Sequence, residues 1–221
     1  MTTGRLSKLQ VKILQALAGF RPPWKLSGGA ALAATHTRHR ETRDLDLFWE
    51  NTNELGRISD SIAQALRLAG LEAESVHKEP SFARLRVSSK GDVVIVDLIA
   101  DPVSPIEPAA KVEIAGVEVA VDTPHEILVN KLCALLSRSE LRDLEDVRVL
   151  LDAGGNLGRA LSDAPRKDRG FSTLTLAWVL REMAVVQLAE RDRWTPDEAE
   201  TLRAFREELV DRLTGLVSSE D

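Results

Sequence analysis

The chain has a single cysteine, Cys133, among its 221 residues. One cysteine excludes an internal disulfide framework and a cysteine-rich zinc site. No apolar run approaches the roughly 20 residues that cross a bilayer. The N-terminal stretch Met1 to Lys12 has no apolar signal core. These absences point to a cytoplasmic protein with no membrane partner. Internal repeats and low-complexity segments are missing as well. Two of the four histidines, His36 and His39, lie in a basic link with Arg38, Arg40 and Arg43. A zinc site needs further well-placed ligands and none is evident, which leaves phosphate contact or solvent exposure for this pair. No Ser-His-Asp arrangement can be argued.

A hydrophobic content of 43% with 29% charged residues is enough for a packed core, and the length suits one large domain or two small ones. The net charge of −6 is unevenly spread. Residues 1–43 hold eight Lys/Arg against one Glu, a net +7, which leaves −13 for the remainder. A basic N-terminal stretch can steer a polyanion such as a nucleotide or RNA, or can simply be the solvated face of the first helix.

The chain is organised around residues 26–49. Gly28-Gly29 follows the short lead Trp24-Lys25-Leu26 and precedes the helix-like run Ala30 to Ala34. A glycine turn that opens a helix offers free backbone N–H groups to a phosphate. Further on, Asp44-Leu45-Asp46 begins an alternating stretch through Leu47, Phe48 and Trp49. Residues two apart on a strand share a face, so Asp44 and Asp46 present two carboxylates side by side. Like charges so close are costly unless a cation lies between them. Asp97, inside the apolar run Val93 to Ala100, is a strand carboxylate that needs either a metal or a partner such as Arg84 or Arg86. Asp101, just past that run, reads as a turn residue.

Gly28-Gly29, the Ala31-Leu32 pair, the Arg/Thr-rich approach and Asp44-x-Asp46 with Leu47-Phe48 resemble the nucleotidyltransferases of the DNA polymerase β type, and among them the AbiEii/AbiGii toxin group. Many members of the superfamily carry Gly-Ser where this chain has Gly28-Gly29, so one hydroxyl ligand for phosphate is missing. The resemblance implies an α+β fold: a mixed sheet flanked by helices, followed by a C-terminal helical part. It implies transfer of a nucleotide from an NTP to an acceptor hydroxyl. Asp44, Asp46 and Asp97 would hold two magnesium ions, and Asp97 would activate the acceptor. RNA, tRNA included, is the implied acceptor, and an antitoxin protein is an implied partner.

Downstream, Lys131, Arg138, Arg142, Asp143 and Asp146 resemble the second motif of the same group. There Lys131 would match the phosphate-binding lysine, and Asp143 would belong to the catalytic set. If one helix runs through, Lys131, Arg138 and Arg142 share a face suited to a triphosphate and its pyrophosphate product. If Ser139 instead caps a second helix, that face is lost. The competing reading is a set of surface ion pairs such as Asp143 or Asp146 with Arg142 or Arg148.

Periodicity and turn residues place helices over residues 6–20, 30–35 and 53–69, and strands over 24–26, 42–49, 72–76, 82–88, 93–100, 111–114 and 117–121. Helices then cover 124–137, 140–151, 174–187 and 196–216, and 152–168 reads as a loop with room for a short helix. The domains follow as a nucleotidyltransferase core over 1–122 and a helical domain over 123–221. Cys133, Trp178 and Trp194 read as packing residues, and His125 as an early helix residue.

Two other functions fit parts of this pattern. A binding module acting through a protein partner would keep the nucleotide pocket without turnover. A nucleotide-sugar glycosyltransferase would use Asp44-x-Asp46 for its metal, although the chain is short for that fold. A dehalogenase-type phosphatase fits less well, because Leu47-Phe48 follows Asp46 where that motif has Gly-Thr.

Overall fold

A computed structural model describes residues 6–35, 42 and 44–218. They form two compact units that divide between Pro124 and His125.

The first unit begins with helix α1 (Lys8–Leu17). Ser7 and Gln10 close a reciprocal capping box: each side chain accepts from the other's backbone N–H, at 3.1 and 2.7 Å. Leu9, Ile13, Leu14 and Leu17 form its buried face. The Trp24 indole donates to the Leu17 carbonyl at 2.9 Å, satisfying one acceptor at the helix end. Strand β1 (Lys25–Ser27) runs directly into helix α2 (Gly28–Thr35), whose alanines are all buried. Strand β2 (Asp44–Glu50) follows, and then helix α3 (Ile58–Leu68).

Helix α3 starts five residues later than its periodicity suggests. Gly56 takes a positive φ of 50°, and the Leu55 N–H donates to the Pro80 carbonyl at 2.7 Å. Leu55 is therefore buried from a loop and not from a first helical turn.

Strands β3 (Glu72–Lys78), β4 (Phe82–Ser89) and β5 (Asp92–Asp101) form an antiparallel meander. Strands β6 (Ala110–Ile114) and β7 (Val117–Val121) form a hairpin. Both two-residue turns, Lys90-Gly91 and Ala115-Gly116, have positive φ at each position, the geometry that matches strand twist. Among the described residues the sheet has seven strands in the order β3-β4-β5-β2-β1-β7-β6. It is mixed: β2–β5 and β1–β7 pair in parallel, the other neighbours antiparallel.

Register sorts the two faces of the central strands. Leu45, Leu47 and Trp49 lie opposite Val96, Leu98 and Ala100, and all six are buried. Asp44, Asp46 and Phe48 lie opposite Ile95, Asp97 and Ile99 on the other face.

The second unit is helical: α4 (Pro124–Ser137), α5 (Leu141–Asp152), α6 (Leu157–Lys167), α7 (Thr173–Glu182), α8 (Val185–Asp192) and α9 (Pro196–Ser218). Helix α6 occupies most of the stretch read as a loop with a short helix. Asn156 caps it by accepting from the Arg159 N–H at 2.9 Å, and Leu157, Ala160, Leu161 and Ala164 make a buried stripe. The expected helix over 174–187 is two helices, because Met183 is extended (ψ 115°) and ends α7. Glu198 and Thr195 reciprocate as the capping box that opens α9. His125 does more than start a helix: its Nε2 lies 2.9 Å from Asp163 Oδ2, and the neighbouring Glu126 pairs with Lys167 at 2.5 Å, both links tying α4 to α6. Trp178 does not pack in the core. It is 63% exposed, beside the exposed Leu174 on α7.

Candidate active site

The alternation in β2 sets up the first constellation. With Leu45, Leu47 and Trp49 drawn into the core, Asp44 and Asp46 must point to the opposite face, where both are half-buried. Strand β5 lies parallel beside β2 with Asp97 in register with Asp46. Neighbours in register share a face, so three carboxylates gather on one side of two adjacent strands.

On the other edge of β2, Ser27 of β1 is in register with Asp46. The next residue, Gly28, turns the chain into α2 with φ +62°. A Cβ at Gly28 would collide with Asp46 Oδ2. Glycine is therefore required here twice over, for the left-handed backbone and for the room it leaves at the carboxylate. Gly29 is buried in the first turn of α2.

Lys25 fixes this short strand. Its buried ammonium lies 2.6 Å from Glu50 Oε1 on β2 and 2.8 Å from Asp122 Oδ1, just past β7. Burial alone would lower its pKa; Asp122 and then Glu50 outweigh that and raise it. Sequence reasoning missed this cluster. A lysine inside the apolar lead to Gly28 was its one local signal.

Asp97 is engaged by Arg84, in register with it on β4. Arg84 Nε donates to Oδ1 and Nη2 to Oδ2, each at 2.8 Å, a bidentate pair. The hydrogen bonds to Asp97 raise the arginine's pKa, and the charges of Asp97, Asp44 and Asp46 add to that. Arg86 is in register with Ile95 and so is not the partner. Asp101 is not past the strand but its last residue, in register with Glu50 of β2, and its Oδ1 accepts from the Val103 N–H at 2.9 Å.

Among the described residues no three His, Cys, Asp or Glu side chains form a ready-made metal cage. The donor chemistry nonetheless fits a hard divalent cation at Asp44 and Asp46. Both are carboxylates on one face, and the space a Cβ would fill at Gly28 lies against Asp46 Oδ2.

The second constellation lies wholly in the second unit. The chain breaks at residues 138–140, so α4 and α5 are separate helices and the single cationic face of Lys131, Arg138 and Arg142 does not exist. The break instead folds α5 back onto α4. Lys131 Nζ reaches Asp143 Oδ1 at 2.6 Å and Asp146 Oδ2 at 2.8 Å. Arg138 Nε donates to Asp143 Oδ2 at 2.9 Å. Lys131, Asp143 and Asp146 are all buried, so the surface-pair reading of these acids also fails. Burial pushes the Lys131 pKa down, but the charges of Asp146 and Asp143 prevail and raise it. Arg142 lies apart, exposed, 3.5 Å from Glu140. Arg148 pairs with Glu145 and Asp152.

Cys133 on α4 is half-buried, short of the core position expected of it. Burial, with the charge of Asp168 behind it, pushes its thiol up to about 11. The thiolate is the reactive form. Alkylation of the native protein at pH 8 is therefore expected to run about 100-fold slower than that of a free thiol. A timed iodoacetamide reaction followed by mass spectrometry, native against urea-unfolded, measures the ratio.

His36 and His39, with Arg38, Arg40 and Arg43, lie outside the described residues. Among the described residues no helix is long and apolar enough to cross a membrane.

A putative nucleotidyltransferase from Helicobacter pylori superposes with TM-score 0.55 at 20% identity, over 95% of each chain. MenT4, a nucleotidyltransferase toxin from Mycobacterium tuberculosis, gives 0.53 at 14%, over 93% of this chain and 91% of its own. The antibiotic-resistance factor ANT(2'')-Ia gives 0.50 at 15%, over 85% of this chain and 100% of its own. At these identities the likeness shows the fold: a mixed sheet with flanking helices, of the nucleotidyltransferase kind. Among curated protein sequences none matches. The model of the family described as nucleotidyl transferase AbiEii toxin, type IV toxin–antitoxin system, matches residues 12–219. The chain belongs to the AbiEii nucleotidyltransferase toxin family.

Proposed function

We propose that this nucleotidyltransferase moves a nucleotide from an NTP to a hydroxyl of RNA, tRNA included, in the cytoplasm, as a toxin held in check by a cognate antitoxin protein. One observation carries the chemistry: Asp46 stands in register with Asp97 on one side, while on the other the missing Cβ of Gly28 leaves room at its carboxylate.

In this reading residues 1–122 act as the nucleotidyltransferase core and 123–221 as a helical domain. The backbone N–H groups at Gly28 and Gly29 open α2 toward the phosphates. Asp44 and Asp46, with Asp97, would hold two magnesium ions, whose charge would polarise the attacking hydroxyl and offset that of the leaving pyrophosphate. Asp97 draws the proton from the acceptor hydroxyl. That oxygen then bonds to the α-phosphorus as its bond to pyrophosphate breaks. Lys131, Arg138 and Arg142 bind the phosphates, a role carried over from the family motif. Two of the three Lys131 N–H donors are spent on Asp143 and Asp146, which leaves one for a phosphate oxygen. Asp143 orients that ammonium.

A second reading is a nucleotide-binding module that acts through a protein partner without turnover. The observation in its favour is that Arg84 occupies both oxygens of Asp97. Incubation of the protein with each α-labelled NTP, magnesium and total RNA separates the two. Label in a discrete RNA band, lost with Asp44→Ala, is the expected result. Label on protein would move the acceptor class. NTP binding with no label anywhere would favour the module.

A further inference from the structure

The carboxylate face includes a cation of its own. Arg84 meets Asp97 through two hydrogen bonds of 2.8 Å, and its guanidinium carbon lies 5.7 Å from the centre of the Phe82 ring. The pair is asymmetric: the Asp97 side chain is 13% exposed and Arg84 is 46% exposed. The carboxylate is fixed in the sheet face, whereas the arginine has solvent to move into.

A fork on both oxygens leaves Asp97 poorly placed to ligate a cation. A divalent ion needs carboxylate oxygens at about 2.0–2.1 Å for magnesium, and it would also meet the guanidinium's charge at close range. An ordinary ion pair on a half-exposed strand contributes little stability, and this one lies where it controls the third carboxylate.

We propose that Arg84 is the positioning residue of this site: it holds Asp97 out of metal coordination in the metal-free protein and yields it when a divalent cation replaces the guanidinium's charge. The inference rests on the reading of Asp44 and Asp46 as metal-binding.

The test is a manganese titration of the full chain without nucleotide, with free Mn2+ followed by EPR. Arg84→Gln keeps polarity and removes the charge. It is expected to bind Mn2+ about tenfold more tightly than wild type. Arg84→Lys, which keeps the charge but not the fork, is expected to fall between them and guards against a folding defect in the Gln variant. Equal affinity within twofold in wild type and Arg84→Gln, with binding lost in Asp46→Asn, would overturn the role of Arg84 and leave the metal reading standing. Absence of binding in every variant would overturn both. A structural role alone would move the melting temperature without tightening Mn2+ binding.

Discussion

Asp44→Asn and Asp46→Asn are each expected to lower the transfer rate by about 10³-fold or more, roughly 4 kcal/mol of transition-state stabilisation, while the melting temperature shifts by no more than a few degrees. Both side chains project from the face of β2 opposite its buried leucines. The core contacts of the strand come from Leu45, Leu47 and Trp49, which these substitutions leave alone. Asparagine keeps the size of the side chain, so the close approach of Gly28 to Asp46 is preserved. What it removes is the negative charge that a hard divalent ion requires. Single-turnover transfer from labelled NTP gives the rate, and a circular-dichroism melt gives the fold. A double substitution that transferred at the wild-type rate would end the metal-dependent mechanism. A large fall in melting temperature would mean that these acids serve the sheet.

Local periodicity made this part of the site legible. Alternation in 44–49 and the glycine pair before a run of alanines are short-range signals, and each specifies a face or a turn directly. Asp97 was visible as an acid inside an apolar strand, but its partner was not. Choosing between Arg84 and Arg86 needs the register of β4 on β5, which the Lys90-Gly91 turn fixes. The Lys25 cluster depends on Glu50 and Asp122, which come together only through the β2-β1-β7 order. In the helical unit, the polar, glycine-containing stretch 152–168 understated α6, which fills most of it where a loop with a short helix was expected. The helix bounds of 124–137 and 140–151 already held the break at 138–140, but nothing along the chain showed that it brings Asp143 and Asp146 to Lys131. Pattern along the chain thus placed residues on faces and in turns more reliably than it paired them.

That break underlies the largest expected change in stability. Lys131→Met would leave Asp143 and Asp146 buried at 1% and 0% exposure without the ammonium between them. Removing one partner of a buried ion cluster costs about 3–5 kcal/mol, which for a chain of this size lowers the melting temperature by roughly 6–20 °C. Asp146→Leu is expected to cost a similar amount, since Lys131 would keep only Asp143, already shared with Arg138. Combining the two changes reverses the logic. Lys131→Met with Asp146→Leu removes a cation and an anion together, fills their space with apolar side chains and leaves Asp143 paired with Arg138. The double variant is therefore expected to be more stable than either single one, a coupling energy of opposite sign to the two losses. Thermal melts of the four proteins measure it. Below pH 10.5 the contribution of Lys131 is fully present, because its folded-state pKa is raised above that value, and it is lost only as the pH rises through the folded-state pKa. The same double variant also tests the phosphate role. If Lys131 binds the triphosphate, the stable double variant should show a raised KM for NTP. If the lysine only holds α4 to α5, its KM should match wild type once the fold is restored.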